Sequence, residues 1–85
     1  MDPATIKELI EKGLPGSRAV VDGDGRHFEA VVVCDAFAGK RLVQQHQMVY
    51  QTLAGQMHDD AVHALSLRTY TSEQWDARGT SVSPS

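Results

Sequence analysis

The 85-residue sequence holds a single cysteine, Cys34, which excludes an intrachain disulfide and suits a reducing cytosol. It has no long apolar run, and charged residues stand already at Lys7 and Glu8. Neither a signal peptide nor a membrane span is therefore expected, and the expected location is the cytoplasm. An excess of positive charge is also lacking. Eight Lys and Arg stand against eleven Asp and Glu, a formal net charge of -3, which argues against a protein whose main task is tracking phosphates. There is no internal repeat. Length is short as well: a domain of this size buries only about 60–65% of its unfolded surface, so a deep catalytic cleft would be hard to enclose.

What is present, 41% hydrophobic residues, fits one small globular domain over residues 1–78 with a tail over 79–85. Asp2-Pro3 opens a first helix, with Asp as cap and Pro at the first turn. Ile6, Leu9 and Ile10, extended by Leu14, form its apolar stripe, while Lys7 with Glu11 and Glu8 with Lys12 are spaced i,i+4 on the wet side. Gly13 and Pro15-Gly16 end it. Ala19-Val20-Val21 begins a first strand and Phe28 to Cys34 forms a second, joined through Asp22-Gly23-Asp24-Gly25, a hairpin turn. That loop presents His27 at the lip of the second strand. A calcium loop is excluded by Val33 at the twelfth position, where a glutamate is needed, and a dinucleotide fingerprint by Phe28 in place of a third glycine.

Asp35 to Lys40 leads into the longest helix, expected over about Arg41 to Met57. Leu42, His46, Val49, Leu53 and Met57 recur on one helical face, widened by Val43, Tyr50 and Ala54. His46 lies within that face and reads as a core or interface histidine with its hydrogen bond satisfied. Gln44, Gln45, Gln47 and Gln51 form a polar flank. The run Val62 to Tyr70 alternates with period two and reads as a third strand, with His63, Leu65, Leu67 and Thr69 on its core face. Thr71-Ser72-Glu73-Gln74 has the form of a capping box for a short last helix, on which Trp75 folds back as a packing anchor. Residues 79–85, rich in Gly, Ser and Thr, read as a disordered tail. The order α-β-β-α-β-α predicts an α+β domain, a three-stranded sheet with helices on one face.

Phe37-x-Gly39, Gln45-His46-Gln47 before Val49-Tyr50 and Leu53, Val62-His63-Ala64-Leu65, and Thr71 to Trp75 together resemble the BolA family. The hairpin Gly23-Asp24-Gly25-Arg26-His27-Phe28 is similar to its small acidic bacterial branch, called IbaG or YrbA. The resemblance runs from about Leu9 to Trp75. It implies a fold similar to a class II KH domain and a partnership with monothiol glutaredoxins of the Cys-Gly-Phe-Ser type through a shared 2Fe–2S cluster. It also implies that His63 is a cluster ligand and that His27, in the hairpin, is the matching second ligand. Histidine can replace cysteine on one iron of such a cluster, leaving a partner cysteine and glutathione to complete the set. Cys34, at the far end of the second strand, reads as a packed thiol.

Some members of the family are described as DNA-binding transcription regulators acting in stress response or cell morphology. Many carry Arg-His-Arg where this chain has Gln45-His46-Gln47, so two phosphate contacts are missing, and no Gly-x-x-Gly clamp precedes a helix. Lys40, Arg41 and Arg68 remain as candidate nucleic-acid contacts. An enzyme is not expected: no nucleophile–base pair or cofactor fingerprint is present. A mononuclear metal site from His27, His58 and His63 has no recognised ligand spacing. Alone, the chain is expected to be a monomer or a weak homodimer.

Overall fold

The structure, a computed structural model, describes residues 2–24, 26–55 and 64–82. Helix α1 (Pro3–Gly13) leads into an antiparallel hairpin of β1 (Arg18–Gly23) and β2 (Phe28–Val33). A 3-10 turn (Asp35–Phe37), helix α2 (Leu42–Leu53), strand β3 (Leu65–Tyr70) and helix α3 (Ser72–Val82) follow. The sheet order is β1-β2-β3, and β3 runs parallel to β2, Phe28 opposite Leu65 and Val33 opposite Tyr70. Parallel pairing follows from the connection: a crossover carrying a helix returns the chain to the end of the sheet where β2 began. The fold is α+β, as the element order predicts.

Alternation decides the core. Ala19 on β1, Phe28, Ala30 and Val32 on β2, and Leu65 on β3 face one side and meet Ile6 and Ile10 of α1 and Val49 and Leu53 of α2. Phe37, fully buried, plugs the sheet end beneath the 3-10 turn. The two helices touch closely where α1 ends. A Cβ on Gly13 would lie 2.5 Å from the Thr52 methyl carbon, so only glycine lets α1 reach this approach to α2.

Several expectations are corrected. The Asp2 side chain does not cap α1; its backbone carbonyl accepts the Thr5 and Ile6 N–H groups at 3.1 and 3.2 Å instead. Helix α2 stops at Leu53 and not at Met57, because Gly55 adopts φ 77°, a left-handed conformation that ends a helix. Met57 lies outside the described residues. Leu42 and Val43, expected on the apolar face, are 61% and 66% exposed: they occupy the first turn, turned away from the sheet. Gln45, read as polar flank, is buried. Strand β3 is described from Leu65, so Val62 and His63 lie outside the described residues. Helix α3 continues to Val82, through residues 79–82 that the composition suggested were tail.

The last helix begins as its sequence predicts. Thr71 Oγ1 accepts the Gln74 N–H at 3.1 Å and Gln74 Oε1 accepts the Thr71 N–H at 2.9 Å, a reciprocal capping box. Asp35 adds an acceptor from the other side of the chain, taking the Ser72 N–H at 3.2 Å. Trp75 then sets its ring against Tyr70, centroids 5.3 Å apart.

Candidate functional site

His27 is exposed and held at the mouth of the β1–β2 hairpin by its own backbone. Asp24 Oδ1 accepts the N–H groups of Arg26 and His27, both at 2.9 Å, while the Asp24 N–H reaches the His27 carbonyl at 3.2 Å. These bonds close an Asx turn. They also hold the Asp24 carboxyl below its ordinary range, the His27 N–H being the largest cause and the Arg26 N–H the next. Gly23 permits the close approach beneath: a Cβ there would sit 2.6 Å from the His27 carbonyl and from the Phe28 ring. Asp22, Gly23, Asp24, His27 and Glu29 line a shallow depression of about 380 Å³.

The parallel sheet brings the start of β3 to the same place. The Phe28 N–H donates to the Ala64 carbonyl at 3.0 Å, so the residue after His27 is bonded to the residue after His63. His63 and His58 lie outside the described residues. Cys34 is buried at the opposite end of β2, where its N–H meets the Tyr70 carbonyl at 2.9 Å. Among the described residues no three His, Cys, Asp or Glu side chains form a group able to hold a metal ion.

The candidate nucleic-acid residues do not converge. Lys40 and Arg41 are exposed just before α2. Arg68 is exposed on the sheet face turned away from α2, beside Glu29, Val31 and Ser66 at a depression of about 230 Å³. Gln45 is not a surface residue at all. Its Nε2 donates to the carbonyls of Phe37 (3.2 Å) and Lys40 (2.9 Å), and its Oε1 accepts from the Thr69 hydroxyl. The missed signal was Thr69, a polar residue on the inward phase of β3 that needs a buried partner. His46 is half-buried with its ring edge-on to Tyr50, centroids 6.5 Å apart. Its Nε2 is buried without a hydrogen-bond partner among the described residues, contrary to the expectation of a satisfied group.

The BolA-like protein family matches residues 11–74, three quarters of the chain and every element from the end of α1 to the start of α3. The chain belongs to the BolA-like family. It is 41% identical to the DNA-binding transcriptional regulator BolA of Escherichia coli K12, covering 84% of this chain and 80% of that protein. Identity to the acid stress protein IbaG of the same strain is 32%, over 88% of this chain and 89% of the other. A solved BolA homologue from Coxiella burnetii superposes with a TM-score of 0.80 at 44% identity, covering 89% of this chain and 97% of that one. These BolA-like relatives are named as a regulator and a stress protein, not as enzymes.

Proposed function

We propose that this BolA-like chain is a non-enzymatic adaptor that shares a 2Fe–2S cluster with a monothiol glutaredoxin, in iron–sulfur trafficking or iron regulation. One observation carries the reading: parallel pairing of β2 and β3 sets exposed His27 at the sheet end where His63 joins the chain to Ala64. Two imidazoles can serve one iron of a mixed-ligand cluster. The remaining ligands come from outside the chain, a glutaredoxin cysteine and glutathione, since Cys34 is buried at the other end of β2. Asp22, Asp24 and Glu29 line the exposed depression beside His27, a surface that a second protein could cover. The cytoplasm is the proposed location, because the thiol ligands require a reducing compartment. Co-reconstitution with a monothiol glutaredoxin, read by visible absorption and circular dichroism, tests it. Failure to form a coloured heterocomplex overturns it.

A second reading, a DNA-binding regulator, is favoured by the 41% identity to the E. coli regulator BolA. Against it stand the burial of Gln45 and the placement of Arg68 on the opposite sheet face from the start of α2. A salt titration of DNA binding separates the two. Affinity that persists at moderate salt, with a steep negative slope, supports the regulator.

A further inference from the structure

The two outer edges of the sheet are not alike. On β1 the N–H groups of residues 19, 21 and 23 point outward, as the bond between Asp24 and His27 fixes the ladder's phase. Two of the three are already occupied by carboxylates: Glu11 accepts the Ala19 N–H at 3.0 Å, and Asp22 accepts the Gly23 N–H at 2.8 Å. An incoming strand would have to displace both and bring its carbonyls against their charge. That edge is closed.

On β3 the bonds from Phe28 to Ala64 and from Cys34 to Tyr70 assign the even-numbered residues to β2. Leu65, Leu67 and Thr69 therefore turn their N–H and C=O groups outward, and no backbone partner meets them among the described residues. The flanks of this edge are also defined. On the helix side stands Leu67, half-buried on the inward phase of β3 at the rim of the core. On the other side stands exposed Arg68.

We infer that the outer edge of β3 accepts an extended segment of a partner protein as a fourth strand. The segment carries apolar side chains toward Leu67 and acidic side chains toward Arg68. Backbone bonds at Leu65, Leu67 and Thr69 would supply affinity, and the alternate side chains specificity. A second copy of the chain fits less well, because two-fold pairing of β3 on itself brings the Arg68 side chains of both copies to the same face with no acid between them. This surface starts at Leu65, near the hairpin end, and runs along β3 toward Thr69, and it does not rest on the cluster reading.

The probes are two synthetic eight-residue peptides, one alternating valine with glutamate and one alternating valine with lysine, titrated into the full chain by amide NMR. The glutamate peptide should shift the amides of Leu65, Leu67 and Thr69 and slow their hydrogen exchange, and the lysine peptide should bind more weakly. Arg68→Glu should weaken the glutamate peptide by roughly fivefold, the upper end of what one exposed ion pair supplies, and Arg68→Gln by less. Arg68 is exposed, so dispersed amide spectra for both variants will confirm the fold. Shifts confined to the β1 edge, no shifts at all, or equal affinity for both peptides would overturn the inference. So would protection of the β3 amides that grows with protein concentration alone, the sign of self-pairing.

Discussion

The Thr69 hydroxyl donates to Gln45 Oε1 at 2.6 Å, and both residues are buried. One side-chain amide thereby ties β3 to α2 and, through Nε2, to the loop after the 3-10 turn. Thr69→Val leaves Gln45 Oε1 unpaired in the core and should cost about 1–3 kcal/mol. Gln45→Leu strands the Thr69 hydroxyl and should cost a similar amount. In a double-mutant cycle by denaturant unfolding the two changes together should cost less than their sum, because the second removes the orphan left by the first. Strict additivity would mean that the bond does not form in solution.

Gly13→Ala should destabilise the protein by about 1–3 kcal/mol, although alanine is the better helix former, since the added carbon collides with the β-carbon and methyl of Thr52. Thr52→Ser in the same background should restore part of the loss. Chemical denaturation of the two variants beside wild type measures it. A gain in stability from Gly13→Ala alone would show that α1 and α2 stand further apart.

The lowered Asp24 carboxyl gives the hairpin an acid limit. A carboxylate with a depressed folded-state value stabilises the fold fully above its ordinary range and loses that contribution as pH falls through the depressed value. The amides of Arg26 and His27 should therefore titrate together in the acid range, in step with the Asp24 side chain. Asp24→Asn keeps an acceptor oxygen and should retain the turn while abolishing the titration; Asp24→Ala should loosen the loop. Amide NMR across the acid range reads both.

For the cluster, His63→Ala should remove the mixed His/thiolate signature of the glutaredoxin heterocomplex, and His27→Ala should weaken it less, as a loop ligand is more readily replaced. Cys34→Ser should leave the spectrum unchanged, because that thiol is buried away from the hairpin. Protons compete for neutral imidazole, so cluster lifetime should shorten as pH falls below neutrality. Visible circular dichroism of each reconstituted complex is the measurement. An unaltered spectrum in His63→Ala would end the cluster reading.

His46→Gln should leave any cluster intact in protein that still folds, whereas His46→Asp should lower the melting temperature, since a charge would replace a half-buried ring packed against Tyr50. Loss of the cluster in His46→Gln with an unchanged melting temperature would reassign the residue.

Much of this fold is legible in the chain because short-range physics decides it. The phase of Leu65, Leu67 and Thr69, the Thr71/Gln74 box, and the two hairpin aspartates each follow from local periodicity or turn chemistry. The longer-range facts are less accessible. Periodicity alone cannot say that the sheet covers α2 only from Gln45 onward, so Leu42 and Val43 look like core. Nor does it disclose that Gln45 is turned inward, because only the position of Thr69 across the core gives its amide a partner. At the candidate site, His27 is legible as an exposed hairpin residue, and the crossover helix makes the parallel return of β3 a matter of connection length.

The separation of Cys34 from the hairpin has a consequence in stoichiometry. Strand β2 spans six residues, on the order of 20 Å, between the sulfur and His27. With one cysteine in the 85-residue sequence, any thiolate ligand arriving at the hairpin end must belong to another molecule. Dilution, rather than unfolding, would then be the gentlest way to empty such a site, and its occupancy would follow the product of two concentrations instead of the abundance of this chain alone.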